Sequence, residues 1–201
     1  MYNKKAAASV EKKDIKFIPA GINEDIVLKS AKTEESPNGS RFLEIVFEKN
    51  GATLTHTEWE PKMNAYTTTV AQLTEKQNNQ YSRMLQILDC FYNDDDIDFE
   101  GESFKEFAEY IVNKLNSADK TKKLRVKVVY NDRGYTTLPK YAKYTFIEPM
   151  ILPEGKTTAI AALGIDMFTK PIVADVETPS TNGLDAFSGS TTTTNNDRLP
   201  F

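Results

Sequence analysis

Near the start of the chain, three segments alternate apolar and polar residues, the pattern of strands with one buried face. They span residues 22–32, 41–49 and 52–59. Asn50-Gly51 joins the second and third segments and is a strong hairpin signal, because both residues tolerate positive φ. Together the three segments predict an antiparallel meander.

Two helical segments are predicted next. Apolar side chains recur with a 3.6-residue period over residues 73–91 and, more clearly, over residues 104–115. Ser103 and Glu106 have the spacing of a capping box at the start of the second helix. We interpret both apolar stripes as core packing.

Strand patterns return after the helices. Residues 124–130 predict a fourth strand, residues 131–134 a turn, and residues 143–148 a fifth strand. Three strands, an α insertion and two strands is the order of the OB-fold. The sequence therefore predicts a mainly β protein with an α insertion, an OB-fold five-stranded barrel with two helices between strands 3 and 4. A β-grasp or another α+β arrangement stays open, and residues 151–173 are assigned only as a packed extension.

Composition divides the chain into three regions. We expect a flexible arm at residues 1–13, a globular domain at residues 14–173 and a disordered acidic tail at residues 174–201.

Composition also bears on location and on metal sites. The sequence contains no run of 18 apolar residues, so it predicts no membrane span. Cys90 is the only cysteine, which predicts a reducing, cytoplasmic location. A single Cys and a single His leave no Cys/His zinc site, and we expect no metal, no cofactor and no enzymatic activity.

Charge is segregated along a chain whose net charge is −4. Residues 89–109 hold nine acidic residues and one basic residue, whereas residues 119–145 hold eight basic residues and two acidic ones. Such segregation can build a basic face on an acidic protein. Two ordinary solvated charge runs are the alternative.

The basic region also carries aromatic residues. Binding a single strand without reading its sequence requires cations that follow the phosphates and aromatic faces that stack on bases. In an OB-fold, the loop between strands 4 and 5 forms one wall of the binding groove. Alternation predicts that Phe47 and Tyr130 are buried, and that Tyr135 and Tyr141 are the better stacking candidates. The predicted DNA-binding residues are Arg41, Phe42, Trp59, Lys62, Arg125, Lys127, Arg133, Tyr135, Lys140, Tyr141 and Lys143.

The tail is a candidate partner-binding segment. Residues 178–196 are almost entirely Ser, Thr, Asn, Gly and Pro, a composition that cannot bury enough apolar surface to offset ordering entropy. Asp197, Leu199, Pro200 and Phe201 follow, and we expect them to act as a peptide bait for another protein. A frayed end that happens to finish in Phe is the alternative.

Gly21-Ile22-Asn23, the hairpin of residues 47–52, the order of elements and the tail resemble single-stranded-DNA-binding proteins of tailed bacteriophages. The tip resembles that of bacterial single-stranded-DNA-binding proteins, although Arg198 departs from the acidic pattern. The resemblance implies an OB-fold that binds single-stranded DNA during replication, recombination or repair. It also implies recruitment of replication or repair proteins through the tip, in the host cell cytoplasm if the protein is viral.

A second function stays open. A β-barrel protein-interaction or virion-structural module without nucleic-acid binding also accounts for the strands and the tail. No membrane partner is expected, and the sequence leaves open whether the chain forms a homo-oligomer.

Overall fold

The computed structural model describes residues 16–171. The predicted arm at residues 1–13 and the tail at residues 174–201, with its partner-binding tip, lie outside the described residues. The strands are β1 (Gly21–Glu35), β2 (Arg41–Lys49), β3 (Ala52–Trp59), β4 (Leu124–Tyr130), β5 (Thr136–Thr137) and β6 (Ile147–Pro149). The helices are α1 (Val70–Leu88) and α2 (Phe104–Ser117), with a 3₁₀ turn at Asp94–Asp96 between them.

All of the strand pairs are antiparallel, in the order β3-β2-β1-β4-β5, and β6 also pairs with β4. β1 is shared by two neighbours, because its first part pairs with β4 and its second part with β2. Register shifts interrupt β1 between Asn23 and Ile26 and between Leu28 and Ser30. Asp25, inside the first shift, has a φ of 58°. Such bulges bend a strand and increase its twist, which lets β1 curve from one partner to the other.

The predicted meander is confirmed. Asn50 and Gly51 have φ values of 50° and 80°, and the flanking Lys49 and Ala52 pair directly across a two-residue hairpin. The mainly β fold with two helices between the third and fourth strands is confirmed as well. The capping box at Ser103 and Glu106 starts α2 as expected.

The last predicted strand differs from expectation. Residues 143–148 do not form one strand, because only Ile147–Pro149 pairs with β4 and a two-residue β5 precedes it. Within residues 16–171 no ladder joins β5 to β3, so the sheet is open at that edge. The side chains of His56 and Thr137 approach there to 3.5 Å.

The core lies between the sheet and the two helices. Its fully buried residues include Leu43, Ile45 and Phe47 from β2, as alternation predicted, and Ile87 and Ile111 from the helices. Burying a side chain of this size contributes about 1.5–3 kcal/mol. Neither α1 nor α2, the helices of the described part, is long and apolar enough to span a membrane.

Candidate nucleic-acid interface

β3 presents a polar face to solvent. Thr55 and Trp59 are exposed, whereas Leu54, His56 and Glu58 point inward and are buried, as expected for a strand whose side chains alternate. Two hollows flank the outer face, and both are lined by Thr57, so they adjoin. We call the combined surface the β3 trench. Its lining residues are Phe17, Ile18, Pro19, Thr53, Thr55, residues 57–62, Asn64, Lys76, Asn79, Gln80, Arg83, Tyr130, residues 133–136, residues 140–143 and Lys170.

The trench is rich in positive charge. Glu58 and Glu60 are its only acidic lining residues within the described part of the chain. Glu58 is buried and paired with Arg83, and Glu60 forms an ion pair with Lys62 at 3.2 Å. The remaining cations therefore face solvent without an acidic neighbour in the lining. They are Lys76, Arg133, Lys140, Lys143 and Lys170.

Aromatic rings accompany these cations. Trp59 is 47% exposed, and its ring packs against Phe42 with 4.6 Å between ring centroids. Tyr135 is 67% exposed in the second hollow. Tyr130, predicted to be buried, is only half-buried and lines the trench beside Tyr135. The rings of Trp59 and Tyr135 are accessible for stacking.

A buried polar network underlies the trench. Arg83 Nε and Nη2 donate to the Glu58 carboxylate at 2.7 and 2.8 Å. His56 Nε2 lies 2.9 Å from Glu58 Oε1, and Gln80 Nε2 donates to Glu58 Oε2 at 3.2 Å. Burial alone would raise the pKa of Glu58, but the hydrogen bonds from Arg83 and His56 outweigh it and hold that pKa well below 4.5. The carboxylate is therefore ionised inside the fold at neutral pH.

Helix α1 holds the loop that forms one wall of the trench. Arg83 Nη1 donates to the carbonyl oxygen of Lys140 at 3.0 Å, and Gln86 Nε2 donates to that of Ala142 at 3.0 Å. Gln86 Oε1 accepts from the backbone N–H of Phe146 at 3.3 Å. The sequence pattern predicted a sheet ladder over residues 143–148, but the ladder begins only at Ile147, and these bonds hold the residues before it. The loop is thus fixed by side chains rather than by strand pairing.

Lys127 does not belong to the exposed surface, contrary to expectation. Its side chain is fully buried, and its ammonium forms an ion pair with Asp166 at 2.9 Å. It also donates to the Tyr141 hydroxyl at 2.8 Å. Three of the flanking residues in β4 are buried apolar side chains, so this part of the strand is buried on both faces. Lys127 cannot reach a phosphate without breaking a buried ion pair.

Two predicted arginines lie away from the trench. Arg125 forms ion pairs with Glu24 at 3.0 Å and with Glu148 at 2.5 Å. Arg41 lines a different hollow, formed with α2, where Glu35 Oε2 lies 3.9 Å from its Nε. The structure brings the other predicted residues together in or beside the trench. They are Phe42, Trp59, Lys62, Arg133, Tyr135, Lys140, Tyr141 and Lys143.

Several trench residues were absent from the sequence-based prediction. Lys76 and Asn79 come from α1, within the two turns before Arg83, and Lys170 comes from the extension after β6. An exposed helical lysine carries no sequence signal for a groove. Arg83 does carry a sequence signal, because a charged residue interrupts the buried apolar stripe of α1 beside Met84 and Ile87.

Comparison with known proteins adds no family. No protein-family model matches the chain, and no match was found among curated proteins. Among residues 16–171 no group of three His, Cys, Asp or Glu side chains is placed to hold a metal ion.

Proposed function

We propose that this protein binds single-stranded DNA without strong sequence preference. The observation that carries the proposal is the β3 trench, where exposed rings of Trp59 and Tyr135 lie among cations that form no ion pair within residues 16–171. Cations that follow a phosphate backbone and rings that stack on bases are the two components of such binding. Stacking contributes about 1–3 kcal/mol per base, so two rings and several phosphate contacts give useful affinity.

The arrangement favours a single strand over a duplex. In a duplex, base faces are already stacked on one another, and a ring such as Tyr135 cannot reach them. No sequence-reading geometry is needed, because every base has a face on which a ring can stack. Lys140 and Lys143 contribute charge without a rigid fork, which suits contact with phosphates rather than with base edges.

The finer fold that accords with this function is the OB-fold, a partly open five-stranded barrel that binds oligonucleotides on its second and third strands and adjoining loops. The trench lies on β3 and is walled by the segment between β4 and β6. The approach of His56 to Thr137 brings β5 beside β3, where such a barrel closes. We propose that the sheet forms a partly open OB-fold barrel, with β5 beside β3.

Titration of fluorescently labelled oligothymidine at several salt concentrations tests the proposal. Each neutralised phosphate contributes about −0.7 to the slope of log affinity against log salt for a single strand, so four to six contacts give a slope of roughly −3 to −4. Duplex of equal length should bind more weakly. Trp59→Leu should weaken binding, and Tyr66→Leu, which changes an exposed ring outside the trench lining, is the matched control.

Absence of binding at low salt, or binding that salt does not weaken, would contradict the proposal. Either result would favour the alternative, a β-barrel protein-interaction or virion-structural module without nucleic-acid binding. Recruitment of replication or repair proteins through Asp197, Leu199, Pro200 and Phe201 lies outside the described residues. It stays a prediction from sequence, as do a role in replication, recombination or repair and a cytoplasmic location.

A further inference from the structure

The loop at residues 140–144 is held by a second, fully buried cluster. The Lys127 and Asp166 side chains are both completely inaccessible, although they carry charges. Lys127 Nζ donates to the Tyr141 hydroxyl at 2.8 Å, and that hydroxyl donates to Asp166 Oδ1 at 2.9 Å. The backbone N–H of Leu163 donates to Asp166 Oδ2 at 2.8 Å. Both charges are therefore paired and hydrogen-bonded, which is the condition for burying an ion pair.

This cluster joins three separate parts of the chain. Lys127 belongs to β4, Tyr141 to the trench wall, and Asp166 to the extension after β6. The extension also packs on β4, where the Tyr130 N–H donates to the Met167 carbonyl oxygen at 2.8 Å. The hydroxyl of Tyr141 is thus the link between the trench wall and the rest of the cluster.

The position of Tyr141 differs from that of a free stacking ring. Its ring is half-buried, and its hydroxyl is occupied on both sides. The neighbouring ring of Tyr144 packs edge-on against it, at 5.4 Å between centroids and 86° between planes, and Tyr144 is 48% exposed. An anchored ring that supports an exposed one is suited to hold a surface in place.

We propose that Tyr141 is a positioning residue of the β3 trench: through the buried Lys127–Asp166 pair it fixes residues 140–144. It thereby presents to the nucleic acid the Lys140 and Lys143 ammonium groups of the trench wall and the Tyr144 ring, which packs on Tyr141 beside the trench lining. The proposal rests on the proposed function, because the ligand is single-stranded DNA. It moves the stacking role in this loop from Tyr141 to Tyr144.

Tyr141→Phe tests the anchor, since it removes the hydroxyl and keeps the ring. The matched control is Tyr110→Phe on α2, outside the trench lining, because the buried Tyr110 hydroxyl has no hydrogen-bond partner among residues 16–171. A K127M/D166L double variant removes both buried charges together, and so leaves neither one unpaired. Tyr144→Ala removes the exposed ring and keeps both hydrogen bonds of the Tyr141 hydroxyl.

Two measurements on the full chain are needed: oligothymidine affinity, and hydrogen exchange of the backbone amides at residues 140–144. We expect Tyr141→Phe and the double variant to speed exchange in this loop and to weaken binding about 5-fold or more, equivalent to roughly 1 kcal/mol. Tyr144→Ala should weaken binding without faster exchange, and Tyr110→Phe should change neither. The double variant changes the core. If it does not fold, the Tyr141→Phe result alone decides the test.

Unchanged exchange in Tyr141→Phe would overturn the positioning role, whatever the affinity. Faster exchange with unchanged affinity would show a structural anchor that the trench does not use, and would overturn it as well. Failure of the wild-type chain to bind oligothymidine would refute the proposed function instead, and the exchange measurement separates the two failures.

Discussion

Replacing Arg83 with Met should lower the free energy of unfolding by about 3–5 kcal/mol at neutral pH, the usual cost of removing one partner of a buried ion pair. Glu58 is 4% exposed, and among the described residues only His56 and Gln80 would remain to satisfy its charge. Met fills much of the space of the arginine stem, so lost charge pairing rather than a cavity dominates. For a domain of this size, the melting temperature should fall by about 6–20 °C.

The dependence of this effect on pH identifies its cause. Burial works to raise the pKa of Glu58, but Arg83 and His56 hold it well below 4.5 in the folded state. A carboxyl with a lowered folded pKa stabilises the fold above its unfolded pKa, and this contribution disappears as the pH falls toward the folded pKa. The wild-type chain should therefore lose stability below about pH 4.5. The penalty of Arg83→Met should shrink there, because protonation removes the uncompensated charge.

Thermal and urea unfolding, followed by circular dichroism at pH 7 and about pH 4, measures both effects. Arg133→Met is the control, since Arg133 is an exposed trench arginine with no ion pair among the residues described. A loss below about 1 kcal/mol for Arg83→Met, or an equal loss at both pH values, would refute the assignment of a buried charge pair.

Three further predictions concern single side chains. Tyr135→Ala should weaken oligothymidine binding by about 1–3 kcal/mol in a titration, while the melting temperature changes little, because this ring is mostly exposed. Lys140→Ala should flatten the salt slope by up to about 0.7, whereas Lys105→Ala, on α2 outside the trench, should leave the slope unchanged. Cys90 is buried, and burial raises the pKa of its thiol, so a thiol reagent should label it only as fast as the native chain opens. Rapid labelling under native conditions, compared with labelling in urea, would contradict the buried placement.

Local patterns in the sequence predicted most of the sheet and both helices. The alternation in β2 placed Leu43 and Phe47 on the buried face, and Asn50-Gly51 specified the hairpin. These features depend on residues close together in the chain. The bend in β1 left no such pattern, because its register shifts depend on two different neighbouring strands.

The candidate site was predicted only in part. Exposed residues such as Tyr135 and Lys143 were found because charge and aromatic character suffice to nominate them. Lys127 was wrongly predicted to be exposed to DNA. Alternation identifies the face of β4 on which its side chain lies, but not the residues that pack over that face. The cover is Asp166, in an extension whose position no periodicity revealed. A buried charge can be recognised only when its partner is known, and here the partner lies 39 positions away.

Both buried charge clusters end on the same short loop. Arg83 reaches the Lys140 carbonyl oxygen from α1, and Lys127 reaches the Tyr141 hydroxyl from β4, so adjacent residues are held from two elements. A loop without strand pairing has little of its own to order it, and ordering a backbone residue costs about 1–2 kcal/mol. Two charge-assisted anchors offset that cost before any ligand arrives. A preformed wall binds more tightly than a wall that must order on binding, because the ordering entropy has already been lost in folding. The two clusters therefore order the polar loop that forms one wall of the β3 trench.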